Sequence, residues 1–328
     1  AIFLGLYLYG WDRLSPKLHL LSGVVVAVSG LASAGFVTLV NAWMNSPRGF
    51  RLESGQLVDL DPLAAMASPF AGHEIAHLLL AAYAATGFAV AAVHAALVLR
   101  RGASTFHLKA LRLSLLLACP AALAQLVVGH HAGQVVAERQ PMKLAAMEGL
   151  FHTEANAPLH VGGVPNYETE TMPLAFEIPG GLSVFPFGDR NAVVHGLEEI
   201  PRSDWPSPLV HYAFQAMVGI GTYLAAVAAW ALSLLWRKRA LDARRWFLRA
   251  VVLAGPLGFV AIETGWVVTE LGRQPWVIYG VLRTADTVTP MPGLIVPFTL
   301  FTLVYLALSA AVARLLWRQF HLDPGAAP

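Results

Sequence analysis

The amino-acid sequence predicts an all-α fold, a polytopic transmembrane helical bundle with six full spans, a partial N-terminal span and a long extracytoplasmic loop. Three observations predict it. Of the 328 residues, 56% are hydrophobic and only 13% charged, whereas a soluble domain carries about 25% charged residues. Apolar stretches longer than about 20 residues recur without a polar face, which is what helices in lipid require. Lys and Arg gather in alternate connections, as they do in proteins that cross a bilayer.

The elements follow in order. Residues 1–9 are an apolar stub, too short to cross a bilayer at about 20 residues per span. With no basic n-region or cleavage site it is not a signal peptide, and it reads as the tail of a helix that begins earlier in a longer chain. Six crossings are expected near 19–45, 72–99, 108–134, 207–236, 247–271 and 291–317. Connections 11–17, 100–112, 237–249 and the C-terminal tail hold fourteen of the 22 Lys and Arg residues, and the much longer connections 46–72, 135–206 and 272–290 hold eight. The first set therefore faces the cytoplasm and segment 135–206 faces outward. That segment contains a helix-like stretch, Gln140 to Gly149, with Pro141 at its start and a closing glycine. Turn signals such as Gly-Gly, Pro-Asn and Pro-Gly follow. A connection of this length in a compact protein is usually functional. No internal repeat or low-complexity tract is present, and residues 1–328 read as one membrane domain.

A net charge of +2 gives no basis for nucleic-acid binding. The single cysteine, Cys119, excludes an intrachain disulfide and a cysteine-rich metal site, leaving twelve histidines as the ligand pool. One local pattern is His73-Glu74-Ile-Ala-His77, the H-E-x-x-H of zinc proteases, which sets two imidazoles on one helical face with a glutamate as base. Such an intramembrane protease needs a third ligand, usually from an L-D-G motif, and this sequence has none. His77 alone supports a second reading, since an imidazole inside a span suits haem iron and a methionine thioether is its common partner. Met217 enters from the same side: His77 lies roughly 12 Å and Met217 roughly 16 Å along their helices at 1.5 Å per residue. A methionine in an apolar helix is otherwise ordinary packing.

Glu263 and Glu270 lie seven residues apart on one helical face, before a glycine and proline that would end the helix. A solvated helix end accounts for Gly272 and Pro275 but not for Glu263. Lys143 and Glu148 would be a plain surface pair on spacing alone. His130 and His131, where the third full span meets the outer segment, read as ligands, proton carriers or interfacial polar residues. A transporter would show inverted repeats and helices broken at mid-membrane; here the polar residues collect at the outer side.

Several stretches together resemble subunit I of cytochrome bd-type ubiquinol oxidases. They are Gly5-Leu-Tyr-Leu-Tyr-Gly-Trp-Asp-Arg-Leu-Ser15, Val40-Asn-Ala-Trp-Met44, Lys143-Leu-Ala-Ala-Met-Glu148, Phe214-Gln-Ala-Met-Val-Gly219, and Gly265-Trp266 followed by Glu270-Leu-Gly-Arg-Gln-Pro-Trp276. They occur in the family's order, and the second half of the last motif and the Lys-Leu-Ala-Ala-Met-Glu motif are specific in this setting. The resemblance implies that His77 and Met217 are the axial ligands of a low-spin haem b, and that Glu270 ligates a high-spin haem b supported by Trp266, Arg273 and Asn41. It implies that 135–206 is the quinol-binding loop, with Lys143 and Glu148 near the quinol. Electrons from ubiquinol or menaquinol would pass through these haems to haem d, or a third haem b, where O2 becomes water. A smaller second oxidase subunit, the lipid bilayer and a bacterial cytoplasmic (inner) membrane location are further implications. On this reading the H-E-x-x-H match is accidental. The family carries further helices, with a histidine and an acidic haem ligand, before the stub. Gln215 stands where many members have arginine, and His130-His131 replace acidic residues of some members. The fragment alone is expected to be inactive.

Overall fold

The computed structural model describes residues 1–241 and 244–321, so residues 242–243 of the expected cytoplasmic turn 237–249 lie outside the described residues. The chain divides into two compact units, Ala1–Thr284 and Ala285–Pro328. In the first unit, a short helix α1 (Ile2–Tyr9) leads to α2 (Pro16–Asn45). Pro16 opens α2 and the Ser15 hydroxyl accepts from Leu18 N–H, an N-cap that sets the start three residues earlier than apolarity alone suggests. A β1–β2 hairpin (Arg51–Glu53, Gln56–Val58) and a turn of helix α3 (Pro62–Met66) follow.

Four long helices form the body: α4 (Ala71–Arg101), α5 (Thr105–Arg139), α8 (Leu209–Trp236) and α9 (Arg245–Leu271). Around the bundle the order is α4, α5, α8, α9, so α4 and α8 stand diagonally, each packed against both of the others, and α2 packs on α4. Small residues let the backbones approach. A Cβ added at Gly87 would lie 2.8 Å from the Cβ of Ala118, at Gly255 2.6 Å from the Cβ of Ala92, and at Gly258 2.7 Å from the Cα of Ala85. In lipid, where apolar burial gives helices little reason to associate, such close packing holds them together. One core cluster, around Phe88, Leu111, Leu115, Leu224 and Val251, fills the bundle. A second, with Phe70, Leu144, Met147, Leu182 and Val268, joins the helix ends to the long connection.

That connection is more ordered than its turn signals indicated. α5 runs to Arg139, beyond the expected end near 134, because the backbone pairs within the helix until Pro141, which cannot donate. α6 (Pro141–Glu148) ends at Gly149, whose left-handed φ of 67° closes it. The rest folds into paired strands β3 (Glu154–Ala155) with β6 (Val193–Val194) and β4 (Leu159–Gly162) with β5 (Ala175–Ile178), plus helix α7 (Gly181–Phe187). After α9 comes the β7–β8 pair (Trp276–Ile278, Leu282–Arg283). In the second unit, α10 (Ile295–His321) carries the sixth apolar stretch. Among the described residues, six helices are long and apolar enough to cross a membrane, in the places the sequence predicts.

Candidate functional site

One end of the bundle collects the polar side chains that the spans would otherwise exclude. Its centre is Asn45, fully buried one turn beyond Asn41 on α2. The Asn45 Nδ2 donates to Asn41 Oδ1 at 2.9 Å and to Glu74 Oε1 at 3.2 Å. The Asn45 Oδ1 accepts from Lys143 Nζ at 3.3 Å, and its backbone carbonyl accepts from Gln140 Nε2 at 2.8 Å. Asn41 in turn donates through Nδ2 to Glu270 Oε1 at 2.6 Å. The other carboxylate oxygen of Glu270 takes a 2.6 Å charge-assisted bond from Arg273 Nη2. Helices α2, α4, α6 and α9 are thus joined by one network.

Arg273 is only 3% exposed, yet its Nε and Nη1 have no hydrogen-bond partner among the described residues, while Glu270 beside it is 47% exposed at the side chain. Two buried guanidinium donors facing no acceptor are costly. They suit an acidic group brought by a ligand, and a haem propionate has the planar, bidentate geometry that arginine matches. Trp266 sits half-buried one turn before Glu270.

His77 and Met217 come from the diagonal helices α4 and α8. His77 is six residues past the start of α4 and Met217 eight past the start of α8, about 9 and 12 Å along at 1.5 Å per residue. Both are shallower than the sequence suggested, and they remain matched in depth. The Gln125 amide donates to the His77 carbonyl at 3.1 Å, and the buried His77 Nδ1 has no partner among the described residues. Each ligand candidate lies against a glycine of a flanking helix. A Cβ at Gly129 would lie 3.6 Å from the His77 ring, and one at Gly265 3.2 Å from the Met217 sulfur. These glycines keep side chains off both groups, so the residues present fit a planar cofactor held across the bundle.

Lys143 and Glu148 occupy opposite ends of α6, each 4% exposed. No hydrogen bond or ion pair joins them among the described residues. Lys143 lays its stem over Gly272, where a Cβ would be 3.0 Å from its Cγ, and turns its ammonium toward Asn45. Burial pushes that ammonium down to about 8, opposed by the charge of Glu74. Burial alone pushes the Glu148 carboxyl up to about 8, and its Oε2 has no partner among the described residues. His130 and His131 are exposed and meet Phe185 and His73 edge-on.

Sequence reasoning missed Asn45, Gln140, Thr269 and His211. Asn45 carried a signal, since two asparagines four apart near the end of an apolar span lie on one face. His211 carried none. It is fully buried, with its ring nitrogens 2.9 and 3.1 Å from the carbonyls of Met147 and Gly162. One turn on, Gln215 bonds the carbonyl of His160 at 2.8 Å and the N–H of Gly162 at 3.1 Å. α8 therefore clamps the long connection with two side chains. Glu74 is engaged with Asn45, and no group of three His, Cys, Asp or Glu side chains that could hold a metal occurs among the described residues, so the zinc-protease reading gains nothing from the structure.

Fold and site together define a helical membrane protein with a buried polar network at one end of its bundle, beside two candidate ligand side chains on facing helices. The family model for cytochrome bd terminal oxidase subunit I matches residues 1–324. A putative cytochrome bd menaquinol oxidase subunit I of Bacillus subtilis is 38% identical over 99% of this chain and 74% of its own length. The cytochrome bd-II ubiquinol oxidase subunit 1 of Escherichia coli is 26% identical, over 99% of this chain and 77% of its own. The solved bd oxidase from Geobacillus thermodenitrificans superimposes with a TM-score of 0.89 at 40% identity, covering 98% of this chain and 75% of that one. The chain belongs to the cytochrome bd terminal oxidase subunit I family. It is the enzymatic subunit I of a quinol:oxygen oxidoreductase family and a multi-pass protein of the bacterial cytoplasmic membrane, which displaces the protease alternative.

Proposed function

We propose that the chain oxidises quinol at the outward-facing segment 140–206 and delivers the electrons to an oxygen-reducing centre within the oxidase it forms with the smaller second subunit. Two quinols reduce one O2: each gives two electrons and two protons, and four electrons with four protons from the cytoplasm yield two waters. The observation that carries this reading is the buried Arg273, which pairs with Glu270 and keeps two donors without partners at the end of the bundle where His77, Met217 and Lys143 also lie. His77 and Met217 would hold a low-spin haem b, and Glu270 a high-spin haem b, with Asn41, Arg273 and Trp266 around it. A third macrocycle, haem d or haem b, completes the set that the family implies. When bound, the haems carry single electrons from quinol to oxygen.

The protein's own residues do the rest. Gly129 and Gly265 keep side chains off His77 and Met217. Arg273 offsets the charge of Glu270 and of an acidic cofactor group. Glu148 accepts a quinol proton, and its burial suits it to that task. A carboxylate basic enough to titrate near 8 is a better match for a phenolic proton than one near 4.5, because proton transfer is most efficient when the base titrates near the working pH. Its buried Oε2, without a hydrogen-bond partner among the described residues, is available to the quinol. Lys143, from the other end of α6, sets the positive field at that site. Met217→Leu in the intact oxidase should abolish the low-spin band of the reduced-minus-oxidised visible spectrum while the high-spin bands remain. An unchanged low-spin band would remove Met217 from the ligand set.

A further inference from the structure

The network around Asn45 has a direction. Lys143 Nζ donates to Asn45 Oδ1 at 3.3 Å, Asn45 Nδ2 donates to Asn41 Oδ1 at 2.9 Å, and Asn41 Nδ2 donates to Glu270 Oε1 at 2.6 Å. The chemistry at the two ends dictates the orientation of both amides. A lysine ammonium has only donors, so the oxygen of Asn45 must face it. An ionised carboxylate has only acceptors, so the nitrogen of Asn41 must face Glu270. The two amide dipoles therefore lie head to tail between a cation on the quinol segment and an anion on α9. All three relay side chains are buried, with exposures of 4% for Lys143, 0% for Asn45 and 8% for Asn41. In such surroundings, with an effective dielectric well below that of water, a chain of hydrogen bonds polarises along its length.

Side branches hold the relay in place. Gln140, which opens α6, donates to the Asn45 carbonyl at 2.8 Å and to Asn45 Oδ1 at 3.3 Å. Thr269, one residue before Glu270, donates to Asn41 Oδ1 at 3.3 Å, and Glu74 of α4 accepts from Asn45 Nδ2. Asn45 Nδ2 also donates to Thr269 Oγ1 at 3.3 Å, so the Asn45 side chain touches groups from α4, α6 and α9 together with its own helix. A shift of α6 is felt at Asn45 through both Gln140 and Lys143.

We propose that Asn45 is a positioning residue that couples Lys143 on the quinol segment to the Glu270 carboxylate, so that the state of the quinol site is transmitted to the high-spin centre. The relay carries orientation and charge, not protons, because moving a proton through two amides would require both to pass through the imidic acid form. Removing the lysine cation weakens the pull on both amides and loosens the Asn41–Glu270 bond. This inference rests on the assignment of Glu270 to a high-spin haem.

The test is a double-mutant cycle in the intact two-subunit oxidase, read by the midpoint potentials of the high-spin and low-spin haems in a spectroelectrochemical titration. Lys143→Met should shift the high-spin potential in the wild-type background. The same substitution in an Asn45→Leu background should shift it by less than half as much, while Asn45→Gln, which keeps the amide, should restore part of the coupling. The low-spin potential serves as the internal control and should move little. Asn45→Leu should also raise the rate at which a small amine reagent modifies Lys143. Equal shifts of the high-spin potential in both backgrounds would overturn the relay, since the charge of Lys143 would then act through space. If Asn45→Leu does not assemble, Asn45→Ser replaces it in the same cycle, because a hydroxyl fills the site without spanning it. An otherwise unaltered oxidase that keeps its high-spin haem after Glu270→Ala would instead refute the haem assignment, a result separate from the relay's own failure.

Discussion

At the scale of single residues, burial decides the chemistry. Glu148 is a buried carboxylic acid at the end of α6, and its raised pKa follows from lost hydration with no neighbouring charge involved. At pH 6 it is almost wholly protonated in the folded protein, and it ionises as the pH rises through about 8. If it is the base that takes a quinol proton, the turnover of the intact oxidase should climb across that interval. Glu148→Gln should lower turnover by about 10²-fold, a typical loss for a general base, and should flatten the rise with pH without altering the haem spectrum. Oxygen consumption measured with natural quinol from pH 6 to 8.5 checks this. Undiminished turnover in the variant would take Glu148 out of the site. Lys143 differs from Glu148 although the two share a short helix. Its shift has the same first cause, but it is opposed by Glu74, so it keeps more of its ordinary charge than burial alone would allow.

At the scale of elements, α8 works as a clamp as well as a span. His211 and Gln215 lie one turn apart and reach four backbone groups of the long connection, Met147 O, His160 O, Gly162 N and Gly162 O. The β4–β5 hairpin is thereby fixed two residues from Met217. Gln215→Leu would leave the part-buried His160 carbonyl without its side-chain partner, at a cost of about 1–3 kcal/mol, while the exposed Gly162 N–H would turn to water. The variant should show faster proteolytic cleavage between 160 and 178 and a raised KM for quinol, with the haem spectrum retained. Cleavage at the wild-type rate would show that the hairpin does not depend on the clamp. The helix contacts are subject to a stricter geometric limit. Gly258→Val would drive a side chain into the Ala85 backbone, where a Cβ already has only 2.7 Å. Separation of α4 and α9 should follow, seen as loss of folded protein in detergent by size-exclusion chromatography.

At the scale of the whole molecule, orientation is set by charge. Fourteen of the 22 Lys and Arg residues lie on the side assigned to the cytoplasm, and positive residues resist translocation. The structure guides where to probe this. Ser183 is fully buried and holds Ala157 N–H and Ala192 O, so a label there would report on folding. Glu168 and Ala240 are exposed. In a Cys119→Ala background, Glu168→Cys should react with an impermeant maleimide added to intact cells, and Ala240→Cys should react only after lysis. Labelling of position 240 in intact cells would reverse the orientation and put the quinol segment on the cytoplasmic side.

The sequence by itself determined the number and placement of the spans, because the free energy of moving a helix into lipid is a nearly additive, local property of about 20 consecutive residues. It also marked the helix α6, through Pro141 and Gly149, and the family, through short motifs that survive as contiguous strings. The tertiary structure decided which polar groups meet. Asn41 and Glu270 are 229 positions apart, and Asn45 and Lys143 98 apart. No periodicity or spacing links such pairs; only the packing of α2, α4, α6 and α9 at one end of the bundle does. For the same reason Glu74 read in the sequence as the base of a protease motif and became, in three dimensions, a partner of Asn45. A side chain buried in lipid takes whatever hydrogen-bond partner the fold delivers, because leaving it without one costs more than almost any local preference.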